Sequence, residues 1–234
     1  MFYGYRYLFD PTYILIIIGV VLSLLASAKV KSTFAKYSKV RSLSGLTGAQ
    51  AAERILHSAG IYDVSIRQIS GDLTDHYDPR DKTLKLSETV YNNTSVAAVG
   101  VAAHECGHAI QDNTGYMPLR LRGALVPIAN FGATISWPLI ILGIIFGMSQ
   151  SFINLGIIMF SLAVLFQLVT LPVEFNASRR AVQIVDETGI LSTQEVQQTR
   201  KVLSAAALTY VAGAAASILQ LLRLVILFGG RDRD

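Results

Sequence analysis

The chain has 234 residues, of which 52% are hydrophobic and 15% are charged, and its formal net charge is +4. Soluble domains carry about 25% charged residues, so this depletion favours a membrane protein. The basic residues flank apolar segments and form no patch with stacking aromatics, which argues against a nucleic-acid partner. The single cysteine, Cys106, excludes an intrachain disulfide.

The first predicted transmembrane helix is the uninterrupted apolar segment 11–28, whose length fits the ~17–25 residues of a membrane span. Residues 29–41 follow with five positive charges and no acid, so this end is predicted to be cytoplasmic and the N-terminus outside. A signal peptide is the alternative, but the front end has little positive charge and no clean cleavage site. Tyrosines at the front edge are typical of an aromatic belt: Tyr3, Tyr5, Tyr7 and Tyr13.

Residues 42–112 have the composition of a small water-exposed α+β subdomain. Thr47 and Gln50 form a capping box that opens a short helix, and Gly60 ends it. The segments "VSIRQIS" and "KTLKLS" alternate as strands do, and "DPRDK" between them is a turn. The predicted order is therefore a helix, two strands and a second helix.

The second helix contains "HECGH", which places His104 and His108 four residues apart. On an α-helix this spacing puts both imidazoles on one face, where they can bind one zinc ion. Glu105 completes the pattern H-E-x-x-H, in which the glutamate is the general base that takes a proton from a metal-activated water. A polar helix segment without a metal is the alternative. Cys106 points to a different helix face and is interpreted as a small apolar filler.

The helix that carries this motif is predicted over about 95–112, because Thr94 or Ser95 can cap it and no proline interrupts it. Upstream, the hairpin 74–86 is predicted to expose an edge strand with which a substrate backbone pairs. His76 and Tyr77 would then lie at the cleft, where either can donate to the oxyanion. An ordinary surface hairpin is the alternative.

The apolar segments 124–148 and 151–173 are the second and third predicted spans, joined by a short loop without charge. Arginines flank the open ends of this hairpin, so both ends are predicted to be cytoplasmic: Arg120, Arg122, Arg179 and Arg180. The segment 174–201 forms cytosolic helices, the second of them opened by a capping box of Ser192 and Glu195. The run 203–228 is rich in small residues and is predicted as a fourth span, with a partly buried surface helix as the alternative.

A catalytic zinc usually has three protein ligands. The third ligand of a metzincin is excluded, because Gln111 and Thr114 occupy the required glycine and histidine positions. Four candidates remain: His57, His76, Asp112 and Glu174.

Glu174 is the best candidate. The membrane hairpin returns the chain to the membrane surface that it left, and this brings Glu174 close to His104 and His108. It is predicted to start a helix whose face is small, with Ala177, Ser178 and Ala181 at i+3, i+4 and i+7. The helix of Glu174 and the helix of the motif can then approach closely enough for their side chains to bind one ion. A surface carboxylate at a helix N-terminus is the alternative.

"HECGH", the two-span hairpin and "EFNASRRA" together resemble the YugP-type membrane neutral zinc metallopeptidase family, which is gluzincin-like and related in plan to the HtpX proteases. The resemblance covers nearly the whole chain. It implies His104, His108 and Glu174 as ligands of one zinc ion and Glu105 as the general base. One position departs from the HtpX-like pattern, in which an aspartate four residues after the ligand glutamate supports a ligand histidine. Here that residue is Ser178, so Ser178 or Asn176 is the candidate support.

The expected fold is mainly α: a polytopic membrane protein with about four transmembrane helices and a small α+β cytosolic zincin domain. The expected function is a zinc endopeptidase of the cell membrane, with its active site on the cytoplasmic side and membrane-associated proteins or peptides as substrates. The alternative is a non-enzymatic scaffold or small transporter with a vestigial metal site. The enzyme is favoured, since the ionisable residues expected in a transporter lie outside the first three spans and no motif residue is lost.

Overall fold

The computed structural model describes residues 10–229, so Tyr3, Tyr5 and Tyr7 of the predicted aromatic belt lie outside the described residues. The described chain forms α-helices and short strands in this order: α1 (Tyr13–Tyr37), α2 (Gly48–Ser58), β1 (Ser65–Ile69), β2 (His76–Asp78), β3 (Thr83–Ser87), α3 (Glu88–Tyr91), α4 (Val96–Asn113), α5 (Met117–Ile145), α6 (Gln150–Glu187) and α7 (Thr193–Phe228).

The chain divides into two compact units. Of the described residues, the membrane unit contains 10–26, Leu121–Leu171 and 209–229. The site unit is built from Ser27–Arg120 and Pro172–Leu208. Within residues 10–229, four helices are long and apolar enough to cross a membrane: α1, α5, α6 and α7. The predicted polytopic, mainly α fold with about four spans is therefore confirmed.

Small residues bring the helices of the membrane unit together. A Cβ added to Gly19 of α1 would lie 3.1 Å from the Cα of Ala216 in α7, and one added to Gly132 of α5 would lie 2.5 Å from the carbonyl oxygen of Met159 in α6. Close backbone approach through small residues is how transmembrane helices associate, because lipid provides no hydrophobic driving force between them. The small residues of α7 therefore serve the packing that their composition predicted.

Contacts at one end of the membrane unit join the end of α7 to the start of α1 and to the start of α6. Arg223 of α7 lies 3.4 Å from the carboxylate of Asp10 and over the ring of Tyr13 at 4.5 Å. The side-chain amide of Gln150 donates to the carbonyl oxygen of Phe228 at 2.9 Å. In a chain with four successive spans, the start of the first span, the loop between the second and third, and the end of the fourth lie on one side of the membrane. These contacts agree with that order.

The sheet of the site unit differs from the predicted two-stranded pairing. Its strand order is β1-β3-β2, with β1 parallel to β3 and β2 antiparallel to β3. The hairpin partner of "KTLKLS" is thus the three-residue strand β2, and "VSIRQIS" pairs in parallel on the other side. The hairpin predicted over 74–86 corresponds to β2 and β3. The count of two strands omitted β2, because three residues are too short to show an alternating pattern.

The core of the site unit forms where α2 and α4 pack on this sheet. Thr47 caps α2 as predicted: its hydroxyl accepts from the Gln50 amide at 3.2 Å, and the Gln50 side chain accepts from the Thr47 amide at 3.0 Å. Gly60, at φ +72°, ends the turn that follows α2. The buried side chains of this core include Ile55, Leu56, Leu84, Leu86, Val99, Ala102, Val185 and Leu203.

α6 runs without a break from apolar into polar sequence, and α7 runs without a break from polar into apolar sequence. Glu174 was predicted to start a helix, but it lies inside α6, which continues to Glu187. The prediction was wrong because a change from apolar to polar composition does not itself end an α-helix, and Pro172 is accommodated within α6. The dipole of a helix N-terminus therefore has no role at Glu174, which is only 2% exposed.

Candidate metal centre

The site begins with the close approach of α4 to α6. α4 starts after Ser95, whose hydroxyl accepts from the Ala98 amide at 3.2 Å, so the predicted helix over the motif is confirmed. A Cβ added to Gly107 of α4 would lie 2.6 Å from the carbonyl oxygen of Ala177 in α6. Ala177 and Ala181 are fully buried. The small face predicted on this part of α6 thus brings the two helices into contact.

This contact brings together His104, His108 and Glu174, whose ligand atoms all lie within 4.8 Å of one another. The Oε2 atom of Glu174 is 3.3 Å from Nε2 of His104 and 3.6 Å from Nε2 of His108. Ligand atoms arranged tetrahedrally at about 2.0–2.1 Å from zinc lie about 3.3 Å apart. The two separations between the carboxylate oxygen and the imidazole nitrogens are close to this value, and the three residues are of the types that bind zinc.

Both imidazoles are held at their outer nitrogen. Nδ1 of His104 lies 3.1 Å from the Ser178 hydroxyl, and Nδ1 of His108 lies 3.0 Å from the side-chain oxygen of Gln111. Both Nε2 atoms therefore face Glu174. Such outer hydrogen bonds orient metal-binding histidines. Ser178 was one of the two predicted supports, whereas the part of Gln111 was missed, although a glutamine three residues after a histidine on a buried helix is a usable signal.

The charges of the cluster are coupled. Burial raises the pKa of Glu174, but the hydrogen bonds with His104 and His108 outweigh burial and bring this pKa below its ordinary value. Burial lowers the pKa of His108, but the hydrogen bond with Glu174 and the charge of Glu105 outweigh it and bring this pKa above its ordinary value. The cluster thus favours positive charge next to the Glu174 carboxylate, and a metal cation provides it without a proton.

Glu105 is 7% exposed and is not among the three grouped ligand residues. The charge of its carboxylate contributes to the raised pKa of His108. Cys106 is fully buried, with its Sγ 3.6 Å from the carbonyl oxygen of Ala52 in α2. It faces the core of the site unit, as its interpretation as a filler residue required.

His76 and Tyr77 lie on β2, an edge of the described sheet that contacts α4. His76 is exposed, with its Nδ1 2.9 Å from the carbonyl oxygen of Thr74. The Tyr77 hydroxyl donates to the Asp112 carboxylate at 2.9 Å. Burial and this hydrogen bond raise the pKa of Tyr77, so the phenol stays protonated.

Three of the four candidates for the third ligand lie outside the metal-compatible cluster found in residues 10–229. His57 stacks on Tyr62 with ring centroids 5.0 Å apart. His76 faces the Thr74 carbonyl, and Asp112 accepts the hydrogen bond from Tyr77. Glu174 is the candidate that the fold brings to the histidines.

Comparison with known proteins gives the family. The sequence model of a family described as "Putative neutral zinc metallopeptidase" matches residues 12–229. A protein of Bacillus subtilis (strain 168) named "Putative membrane protease YugP" is 51% identical over 214 residues, which are 91% of this chain and 95% of that protein. No solved structure matches the chain. The chain therefore belongs to the YugP-type family of membrane neutral zinc metallopeptidases.

Proposed function

We propose that the chain is a zinc-dependent endopeptidase of the cell membrane that hydrolyses peptide bonds of membrane-associated proteins or peptides. The supporting observation is the convergence of two imidazole nitrogens and one carboxylate oxygen within 4.8 Å. The buried Glu105 follows the first of these ligands in the sequence. The family description and the name of the Bacillus subtilis relative support the same activity.

In this proposal His104, His108 and Glu174 hold one zinc ion per chain. When bound, zinc lowers the pKa of water at the site to about 7 and polarises the carbonyl of the scissile bond. Glu105 accepts a proton from the attacking water and then passes it to the leaving amine nitrogen. A carboxylate that binds no metal is free for this transfer, and Glu105 lies outside the group of three ligand residues.

The edge strand β2 is the proposed surface for the substrate backbone. An extended peptide can add a strand at a sheet edge through main-chain hydrogen bonds. His76 and Tyr77 are proposed to donate to the oxyanion that forms on the scissile carbonyl. Of the two, His76 is the more available donor, because the Tyr77 hydroxyl is already donated to Asp112.

The active site is proposed to face the cytoplasm. The basic segment 29–41 and the arginines that flank the α5–α6 hairpin support this orientation. Glu174 follows the predicted span 151–173 directly in the sequence, within one continuous helix. Membrane-associated proteins and peptides on the cytoplasmic side are therefore the proposed substrates.

A scaffold or transporter with a vestigial site is less well supported. A protein that has lost catalysis has no need to keep His104, His108, Glu105 and Glu174, but all four residues are present. The three potential ligands are also grouped. This grouping favours the enzyme.

The test uses the full-length protein purified in detergent. Elemental analysis is expected to find one zinc per chain, and the protein is expected to cleave casein. A chelator should abolish cleavage, and added zinc should restore it. Protein that is folded but binds no zinc, or that cleaves casein equally well with the chelator, would overturn the proposal.

A further inference from the structure

The side chain of Gln111 is fully buried and makes three hydrogen bonds. Its oxygen lies 3.0 Å from Nδ1 of His108. Its amide nitrogen donates to the backbone carbonyl of Val173 at 2.9 Å and to the side-chain oxygen of Asn176 at 3.0 Å. Gln111 therefore connects a proposed zinc ligand on α4 to two groups on α6.

The direction of the Gln111 amide is fixed by its partners on α6. The carbonyl of Val173 can only accept a hydrogen bond. Arg180 can only donate, and its Nε donates to the side-chain oxygen of Asn176 at 2.8 Å. The guanidinium of Arg180 also lies over the ring of Tyr116, 6.0 Å from the ring centroid. Two acceptors thus face Gln111 from α6, and the amide NH₂ must point toward them.

This direction determines which nitrogen of His108 carries hydrogen. With its NH₂ turned to α6, Gln111 presents only its oxygen to His108. A side-chain amide oxygen accepts and cannot donate, so Nδ1 of His108 must be the donor. In the neutral ring, Nε2 then keeps its lone pair, and this atom is the one that faces Glu174. The Ser178 hydroxyl beside His104 can donate or accept, so it imposes no such constraint.

We propose that Gln111 is a positioning residue that fixes the tautomer and ring orientation of His108 for metal binding, and that Asn176 and Arg180 hold its amide in the required direction. The metal-binding part of this inference rests on the proposed role of His108 as a zinc ligand. The alternative is a purely structural role, in which Gln111 only ties α4 to α6.

A pair of variants at Asn176 separates the two roles. Asn176→Asp keeps an acceptor oxygen for both Gln111 and Arg180, whereas Asn176→Leu has a similar size and no acceptor. Gln111→Leu removes the amide itself. Loss of such an outer hydrogen-bond partner typically weakens metal binding about 10–100-fold. We expect this range for Gln111→Leu, a smaller loss for Asn176→Leu because the Val173 carbonyl still orients Gln111, and zinc affinity close to wild type for Asn176→Asp.

The measurements use the full-length chain in detergent micelles. The zinc dissociation constant is measured by competition with a chromophoric chelator, and the stability of the zinc-free protein by thermal unfolding with EDTA. The tautomer is measured in the zinc-free protein from ring ¹⁵N chemical shifts at alkaline pH, where the ring is neutral. The chain has four histidines, so the spectrum can be assigned by substitution. Wild-type His108 is expected to carry hydrogen on Nδ1, and Gln111→Leu should shift hydrogen to Nε2.

Three results would overturn the inference. One is a wild-type His108 with hydrogen on Nε2. Another is a Gln111→Leu protein that loses stability but keeps its zinc affinity and tautomer. The third is an equal loss of zinc affinity in Asn176→Asp and Asn176→Leu. If the wild-type protein bound no zinc at all, the proposed function would fail, but the ring ¹⁵N shifts would still decide the role of Gln111.

Discussion

Gly107 of α4 lies directly against the backbone of α6, because a Cβ at this position would be 2.6 Å from the carbonyl oxygen of Ala177. A contact this short cannot be relieved by rotating a side chain, since the atom that it meets belongs to the backbone. Each of the two helices contributes potential ligands to the same cluster, with His104 and His108 on α4 and Glu174 on α6. The separation of these backbones therefore sets the separation of the ligands.

Gly107→Ala is expected to push α4 and α6 apart. Overpacking of this kind costs about 1–3 kcal/mol, and it should also weaken zinc binding because it displaces Glu174 from the histidines. Thermal unfolding with EDTA and a chelator-competition assay measure the two effects. Gly123→Ala is the matched control, since nothing lies within 4 Å of a Cβ at Gly123. Equal behaviour of the two variants would show that the Gly107 contact does not set the site geometry.

Local signals in the sequence were sufficient to predict the helix that carries the motif. The Ser95 cap and the spacing of His104 and His108 are properties of one short segment, and the structure agrees with both. The approach of Glu174 was predictable from chain order, because a hairpin of two spans must return to the side from which it left. Glu174 joins the cluster although it lies inside α6 and does not begin a helix.

Features that depend on distant partners were not predictable from the sequence. The parallel pairing of β1 with β3 joins segments separated by β2, and no local pattern specifies it. The spacing of Gln111 from His108 is a local signal, but the direction of its amide depends on Val173 and Asn176, which are more than 60 residues away in the sequence. A single sequence shows a polar residue on a buried helix, but the partner that satisfies it appears only in three dimensions.

Glu105→Gln is expected to keep zinc and the fold but to lose peptide cleavage. Glutamine has nearly the same size as glutamate but cannot accept the proton of the attacking water, which should lower kcat by about 10²–10⁴-fold. Casein hydrolysis and elemental analysis of the same preparation measure both properties. Glu53→Gln is the control, because Glu53 is exposed on α2 and should retain activity. Activity of Glu105→Gln near the wild-type level would exclude Glu105 as the base.

His76→Ala and Tyr77→Phe are expected to lower kcat without loss of zinc, because each removes a proposed donor to the oxyanion on β2. The larger effect is expected for His76, since the Tyr77 hydroxyl is already donated to Asp112. Steady-state kinetics on a peptide substrate, with zinc analysis, measure the effects. Unchanged kinetics in both variants would remove the edge strand from the mechanism.

The orientation in the membrane can be tested by cysteine labelling. In a Cys106→Ala background, Ser151→Cys lies just after the α5–α6 loop and Ser44→Cys lies just after the basic segment 29–41. Both serines are exposed in the structure. A membrane-impermeant maleimide added to intact cells is expected to label position 151 and to leave position 44 unlabelled until the cells are opened. Labelling of position 44 alone in intact cells would reverse the orientation and place the site outside.

Glu174→Ala is expected to lower zinc affinity as strongly as His108→Ala, because each variant removes one of three proposed protein ligands. His76→Ala should leave zinc bound, since His76 is exposed and lies outside the cluster. Glu174→Gln separates loss of a ligand from creation of a cavity, because it keeps the size of the side chain but removes the carboxylate charge. Zinc content and the chelator-competition constant are measured for all four variants.

Glu174 is proposed as the third ligand because its carboxylate oxygen lies near both imidazole Nε2 atoms. Stoichiometric zinc in Glu174→Ala, together with loss of zinc in His76→Ala, would assign the third ligand to His76 on β2. The Glu174 carboxylate would then have no metal-binding role.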